Sequence, residues 1–444
     1  MRLQIPGGAA NIIETLTKAG YEAYVVGGCV RDSVLGKEPS DWDITTNARP
    51  KEVKCLFRHT VDTGIQHGTV TVLLEGQGFE VTTYRIDGTY QDHRRPDNVE
   101  FTSSLLEDLK RRDFTINAMA YNHQEGLIDK FQGISDLEHG IIRCVGVARE
   151  RFDEDALRIL RAVRFAAQLG FTIEEETQNA IKEQSVFLKD ISAERIRVEL
   201  DKLLRSEHPE LLRTAYELGI TKVVLPEFDE MMQTDQKTIH HCYSVGEHTL
   251  AVMQQLPATS IRWAGLLHDI AKPACKTQDE KGTDHFYRHP AVGATMADVI
   301  MKRLKFDNLT INYVKKLVAC HDDGMDVEPT KNYIRKAINR IGPELYPDYL
   351  LLRRADVLGQ SEYQRDEKLR RIENSKRLYE EVIRDQEAVT IKELAIDGTK
   401  LIALGFKPGK LIGETLNELL QVVLEDPEKN SYETLKGLAL KKLE

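Results

Sequence analysis

Apolar residues recur every three to four positions in "AANIIETLTKAG" (9–20), the spacing of an amphipathic helix, and Gly20 closes it. The next run, "AYVVGG", reads as a strand, and "CVRDSVLG" as a second helix ended by Gly36. "SDWDITT", "GTVTVLLEG" and "GFEVTTYRI" then follow as strands, the last two joined by a glycine-bearing turn. A small mixed sheet with helices packed on it is the architecture this order predicts. From about residue 141 the period becomes helical and stays so to the end. The charged run at 370–389, "RRIENSKRLYEEVIRDQEAV", reads as a solvated helix leading to a tail in which a glycine-punctuated turn feeds a helix. The fold class is therefore α+β, a mixed-sheet head followed by an all-α remainder.

Composition narrows this picture only modestly. With 444 residues, several domains are expected. The 41% apolar and 30% charged content is that of an ordinary soluble chain. No apolar run approaches the roughly 20 residues that cross a bilayer, and the N-terminus lacks the apolar stretch of a signal peptide. Six scattered cysteines without Cys-x-x-Cys spacing argue against a zinc knuckle and point to reduced thiols in a cytoplasm. The net charge of −10 gives no global attraction to nucleic acid, so such binding must be local.

The stretch "GGCVRDSVLGKEPSDWDITT" (27–46) carries the first candidate chemistry. On a strand, Asp41 and Asp43 point to one face, and two adjacent carboxylates repel unless a cation lies between them. Hard oxygen ligands that leave room for phosphate oxygens suit Mg²⁺. Gly27 and Gly28 allow backbone N–H groups to approach a triphosphate at the start of a helix. Separately, a glycine pair and a surface Asp-x-Asp are commonplace; in the order strand, Gly-Gly, helix, Asp-x-Asp, strand they indicate metal-assisted phosphoryl or nucleotidyl transfer.

This stretch resembles the signature of the class II tRNA nucleotidyltransferase and bacterial poly(A) polymerase family. "TGIQHGTVTV" (63–72), "YRIDGTYQDHRRPDNVEFT" (84–102), "LEDLKRRDFTINAMAYN" (106–122), "RFDEDALRILRAVRFAAQLGF" (151–171) and "ISAERIRVEL" (191–200) follow in the family's order. The tail "GFKPGKLIGETLNELL" resembles the CCA-adding branch. The resemblance implies a polymerase-beta-like nucleotidyltransferase head at 1–140 and a helical neck and body for nucleotide selection and RNA binding at 141–235. It further implies a metal-binding domain at 236–365 and a tRNA-binding tail at 366–444. It gives Asp41 and Asp43 the catalytic Mg²⁺, and gives Gly28, Arg31, Arg111, Arg112, Asp113 and Asn117 the ribose and triphosphate. An N-capped helix beginning at Asp113 is the structural alternative there. Asp92, Arg94, Arg95 and Pro96 match the family's flexible loop, whose presence favours CCA or A addition over CC addition. Glu80, on the "FEVTTYR" strand, is a further candidate metal-facing carboxylate.

"EDALR" opens an amphipathic helix on which Asp155 and Arg158, three apart, share a face beside Glu154. Acids in a first turn with a basic partner also describe ordinary helix-dipole compensation. The resemblance gives the three residues a sharper task, an amino-acid template for CTP and ATP. A carboxylate accepts the exocyclic amine of cytosine or adenine, and Arg158 donates to the neighbouring ring acceptors. Uracil and guanine present a carbonyl oxygen instead, and a site built for a donor rejects such analogues by about 10⁴-fold. Arg161 and Arg164 extend the basic stripe toward phosphates.

Further along, "VGEHTLAV", "LLHDIAKP", "YRHPAVGA", "VACHDD" and "RRADVLG" hold His248, His268, Asp269, His289, His321 and Asp356. A His-Asp pair inside an apolar helix needs partners for its polar groups. The ordered set resembles the HD superfamily of metal-dependent phosphohydrolases, which implies a divalent metal of unknown identity at His248, His268, Asp269 and Asp356 and an optional second at His289 and His321. In the tail, Lys407 and Lys410 beside Gly405, Pro408 and Gly409 are the expected phosphate contacts. The reading is stepwise transfer of CMP and AMP from CTP and ATP to a tRNA 3′ end, with pyrophosphate released. An A-adding enzyme or poly(A) polymerase is the alternative, and an HD phosphohydrolase with an RNA-binding head is the alternative of another class.

Overall fold

The computed structural model describes residues 2–74, 76–87, 99–324 and 327–442, so the loop residues Asp92, Arg94, Arg95 and Pro96 lie outside the described residues. The chain forms two compact units, Met1–Asp229 and Glu230–Glu444.

In the first unit a short parallel pair, Ile141–Ile142 with Thr172–Ile173, interrupts the expected all-α stretch after residue 141. The strands of the head are β1 (Ala23–Val26), β2 (Ile44–Thr46), β3 (Thr60–Gly64), β4 (Thr69–Leu74), β5 (Gln77–Thr83), β6 (Arg85–Asp87), β7 (Val99–Phe101), β8 (Met119–Asn122) and β9 (Gly126–Asp129). Seven of them form one sheet in the order β3-β4-β5-β2-β1-β8-β9, while β6 and β7 pair apart. The sheet is mixed as anticipated, since β2 runs parallel to β5 and antiparallel to β1. Its β1 and β8 are buried throughout, which explains why "AYVV" shows no alternation of polar residues. The helix Gly7–Lys18 lays Ile12, Ile13 and Leu16 on the core. A Cβ on Gly8 would lie 2.6 Å from the Phe79 ring, so this helix rests directly on β5.

Three sequence-based boundaries shift. Asp41 and Asp43 precede β2 rather than lying in it, because ladder pairing with both neighbours starts only at Ile44. No α-helix begins at Asp113; a 3₁₀ turn at Thr115–Asn117 stands there, and Asp113 caps its own following residue, Phe114. "EDALR" does not open a helix: Glu154 closes the helix Ala148–Glu154, Asp155 is extended (φ −144°), and a new helix runs Leu157–Leu169.

The second unit is helical apart from a two-strand hairpin at 277–278 and 284–285. Helices Val245–Gln254, Ile261–Leu267, His289–Arg303, Asn308–Cys320 and Tyr346–Gly359 surround a core holding Trp263, which meets Phe306 edge-on at 4.9 Å. The charged helix expected to be solvated, Arg365–Arg384, buries Lys368, Ile372, Ser375, Leu378 and Val382 along one stripe. Their spacing of three to four residues was present in the sequence but hidden among charges. No helix among the described residues is long and apolar enough to cross a membrane.

Candidate functional sites

The head site forms where β1 ends. Gly27 adopts φ +82°, a left-handed value glycine takes freely, and a Cβ there would lie 2.9 Å from Arg112 Nη1. The turn sends the chain into the helix Gly28–Val34 and brings the Arg112 guanidinium against it. The Asp43 carbonyl accepts from Val26 N–H at 3.0 Å, which pins the Asp-x-Asp segment beside this turn. Ile44 pairs with Val81 in parallel register, so Asp43, just before β2, stands beside Glu80 of β5.

The electrostatics agree with this placement. Burial by the cleft walls and then the Asp41 charge push the Asp43 carboxyl up to about 6, with Arg112 opposing and Glu80 adding to the rise. Asp43 nevertheless keeps exposed surface, and that exposure is what lets an ion and a triphosphate reach it. Unrelieved repulsion among acids open to solvent is the property a divalent cation relieves, so the residues fit a divalent metal.

Around this acidic centre the basic residues are held by partners. Arg31 donates to Asn117 Oδ1 at 2.8 Å and to both oxygens of Asp32. Asp108, fully buried, accepts from Arg111 Nε and Nη2 at 3.0 and 2.8 Å and lies 3.5 Å from Arg112 Nη2. Burial would raise the Asp113 carboxyl, but Arg161 donates to it through Nε (2.8 Å) and Nη2 (2.5 Å) and holds it well below the usual range. Asn117 Nδ2 adds a bond to Asp113 at 3.2 Å. The Arg164 guanidinium lies 3.8 Å from the Phe165 ring centroid and donates to Glu199 at 2.5 Å.

Asp155 and Arg158 do not pair with each other through their side chains. Arg195 Nη2 donates to Asp155 Oδ2 at 2.7 Å, while Arg158 donates to Glu154 Oε2 at 2.5 Å and to the Arg111 carbonyl at 2.9 Å. The helix break at Asp155 separates the two side chains, which the assumption of one continuous helix missed. Arg195 was visible only as part of "ISAERIRVEL"; no local pattern there indicates which acid it meets.

The second site lies wholly in the helical unit, at the floor of a cavity of about 400 Å³. His268, Asp269, His289, His321, His248 and Asp356 are all buried there. Each histidine directs Nδ1 at a backbone carbonyl: His248 at Gly359 (3.0 Å), His268 at Gly265 (2.7 Å), His289 at Phe286 (2.8 Å) and His321 at Val318 (2.8 Å). That geometry assigns the proton to Nδ1 and leaves each Nε2 a lone pair. Those lone pairs then face one another, His248 and His268 at 3.3 Å and His289 and His321 at 3.2 Å. Two facing lone pairs cannot bond each other; a cation between them satisfies both.

Asp269 links the two pairs. Its Oδ2 lies 3.2 and 3.7 Å from His268 and His248, and its Oδ1 lies 3.3 and 3.6 Å from His289 and His321. Asp356 Oδ1 lies 2.9 Å from His248 Nε2, and Gln360 Nε2 donates to both Asp356 oxygens at 3.1 Å. Against the cost of burial, positive charge at the Nε2 atoms lowers the Asp269 and Asp356 carboxyls below their usual range, with Lys272 adding to this for Asp269; with the imidazoles neutral, a bound cation would supply that charge. The residues therefore form two metal-compatible groups, His248-His268-Asp269 and Asp269-His289-His321. Sequence reasoning missed three supports: Lys272, whose Nζ is 2.7 Å from Asp269, Gln360, and Gly359, where a Cβ would lie 3.2 Å from His248 Nδ1.

Three family models match the chain in succession. The Poly A polymerase head domain family matches residues 23–143, the family described as "Probable RNA and SrmB- binding site of polymerase A" matches 170–232, and the HD domain family matches 238–372. Nucleotidyltransferase and HD domains generally use divalent metals. The CCA-adding enzyme of Lactiplantibacillus plantarum is 61% identical over 201 residues, 45% of this chain and 49% of that one, so this match spans about half the length of that relative. The CCA-adding enzyme of Lactobacillus helveticus is 36% identical over 431 residues, covering 96% of this chain and 95% of that one. Among solved structures, the Bacillus stearothermophilus CCA-adding enzyme in complex with CTP is 29% identical with a TM-score of 0.76, over 98% of this chain and 96% of that one. The Thermotoga maritima CCA-adding enzyme complexed with tRNA shares the fold at a TM-score of 0.62 and 21% identity, with both chains fully covered. By its full-length likeness to the Lactobacillus helveticus protein, this chain belongs to the CCA-adding enzyme family.

Proposed function

We propose that this chain adds C, C and A to the tRNA 3′ end from CTP and ATP, without a nucleic-acid template. The observation that carries this is the placement of Asp41, Asp43 and Glu80 at the edge of the glycine turn, with Arg112 alongside. The terminal 3′-oxygen forms a bond to the α-phosphorus, the bond to pyrophosphate breaks, and the hydroxyl proton is lost to solvent. Mg²⁺ held by Asp41 and Asp43 would make that hydroxyl more acidic and steady charge on the α-phosphate. Arg112, beside Gly27, is placed to take triphosphate oxygens, while Asp113 and Arg161 brace the wall behind. Asp155, steadied by Arg195, accepts the exocyclic amine of the incoming base. Arg158 donates to the base once its bond to Glu154 exchanges. The six cysteines are free thiols, which fits a cytoplasmic tRNA-processing enzyme.

Asp41→Ala with Asp43→Ala should abolish incorporation of both nucleotides while tRNA binding persists in a filter-binding assay. Appreciable incorporation by this double variant contradicts the proposal.

A second activity, hydrolysis of phosphoesters, is supported by the paired histidine groups bridged by Asp269. Water adds to phosphorus, the ester P–O bond breaks, and the leaving oxygen takes a proton, giving an alcohol and inorganic phosphate. Asp269 and Asp356, held ionised, are suited to ligate the metals and orient the water. Phosphate release from small phosphoesters with Mg²⁺, Mn²⁺, Ni²⁺ or Co²⁺ tests this; no release with any of them makes the helical unit a scaffold.

A further inference from the structure

The mouth of the histidine cavity carries groups that the metal centre does not use. Two of the cations lining it are committed: Lys272 Nζ bonds Gln236 at 2.8 Å and pairs with Asp269, and Lys368 Nζ bonds Gln360 at 2.8 Å. Arg288 is different. It lines the cavity, is exposed, and its guanidinium has no protein partner among the described residues. Its backbone sits at φ +65°, ψ 11°, a left-handed conformation disfavoured for a non-glycine residue, and it directly precedes the candidate ligand His289.

Beside it Tyr287 is 70% exposed, yet its ring is not loose in orientation. It stacks on His285 with centroids 5.3 Å apart and planes within 8°, and His285 Nε2 lies 3.3 Å from Asp279. The hairpin that carries His285 is anchored by Asp284, which accepts from Lys237 N–H at 2.7 Å and Lys276 Nζ at 2.9 Å. A flat aromatic surface, supported from behind and open in front, thus adjoins an unpaired guanidinium at the rim of a cavity with a metal-compatible floor. The 400 Å³ volume accommodates a base, a ribose and a phosphate.

Resting on the phosphohydrolase reading, we infer that Tyr287 and Arg288 select the substrate of this site, a ribonucleotide phosphate whose base stacks on Tyr287 and whose phosphate Arg288 steers to the metals. Hydrolysis is the balanced step given above, with a nucleoside or an RNA end as the alcohol. A free mononucleotide and an RNA 3′-terminal phosphate present the same chemistry.

The test uses full-length, Mn²⁺-loaded protein, with calorimetric binding and phosphate release measured side by side. The ligands are guanosine 3′-monophosphate, ribose 5-phosphate, and a short oligoribonucleotide ending in a 3′-phosphate; guanine is chosen because the head should reject it. Tyr287→Ala should weaken binding of the base-bearing ligands by about tenfold and leave ribose 5-phosphate unchanged. Arg288→Gly removes the charge while accepting the positive φ, so it should weaken all three ligands by about tenfold without lowering Tm. The tighter of the two base-bearing ligands identifies the source. Binding of guanosine 3′-monophosphate that is insensitive to Tyr287→Ala, or ribose 5-phosphate bound equally well, overturns the inference. If binding depends on Tyr287 but no ligand releases phosphate, the hydrolase reading fails and the selection rim stands. Phosphate release with equal kcat/KM for ribose 5-phosphate and guanosine 3′-monophosphate, unaffected by Tyr287→Ala, is the reverse.

Discussion

The head and the helical unit each gather a group of carboxylates proposed to hold metal, and the two groups are in opposite electrostatic states. In the head, burial against the cleft walls and then the neighbouring Asp41 charge raise the Asp43 carboxyl to about 6, while Asp41, Asp43 and Glu80 all keep surface open to solvent. In the helical unit, Asp269 and Asp356 are buried but surrounded by histidines and Lys272, and both are held below the usual carboxylate range. One site is completed by what arrives; the other is organised before anything arrives. A reaction that brings its own triphosphate oxygens to the metal suits the first arrangement. A site whose four imidazoles are each fixed by a backbone carbonyl suits a resident ion.

The largest expected effect is reciprocal inactivation of the two groups. Asp41→Ala with Asp43→Ala should cost on the order of 10³-fold or more in nucleotide addition and leave phosphoester hydrolysis intact. His268→Ala with Asp269→Ala should do the reverse. Loss of both activities from either variant would mean that the two centres do not act separately.

Metal retention sharpens the contrast next. After loading with Mn²⁺ and extensive dialysis, elemental analysis should find about two ions per chain, lost in His268→Ala with Asp269→Ala and retained when the head aspartates are removed. An equal loss from the two variants would contradict a pre-organised helical site.

Base choice comes third in size. Asp155→Ala should narrow the preference for CTP over UTP, and for ATP over GTP, by about 100-fold while triphosphate affinity changes little. Arg195→Ala, acting only through Asp155, should narrow it by about tenfold, and Arg195→Lys should restore part of it. A helix-stabilising role alone would change Tm and leave the base preference untouched.

The smallest expected effect is on pH. Metal binding at the head needs an ionised Asp43, so apparent Mg²⁺ affinity should fall by roughly tenfold per pH unit below about 6. Stability carries the opposite sign. The folded carboxyl is raised, so without metal its contribution is present at low pH and lost as pH rises through about 6. Asp43→Asn should therefore raise the Tm of metal-free protein at pH 7.5 and not at pH 4.

Much of this was legible in the chain. Strands and helices of the head were readable because glycines mark their ends, as at Gly20 and Gly36, both at positive φ. The six candidate metal ligands were readable, and come together in the fold, because the chemistry of His and Asp stands out against apolar helices. What sequence did not reveal was pairing at a distance. Arg195 reaches Asp155 across 40 positions, and His248 relies on the carbonyl of Gly359, 111 positions away. The break at Asp155 was hidden because "EDALR" has good helix formers on both sides; tertiary demands on the Asp155 side chain, which Arg195 and Leu157 N–H hold, override that propensity.

The most direct test of the central claim is stepwise extension of three tRNA transcripts, ending at the discriminator base, at C and at CC, with each nucleoside triphosphate offered alone. A CCA-adding enzyme places two C residues on the first, one C on the second and a single A on the third, with UTP and GTP excluded throughout. Incorporation of A alone, on CC ends only, would make the chain an A-adding enzyme, and a growing run of A on any end would make it a poly(A) polymerase; either result contradicts the account.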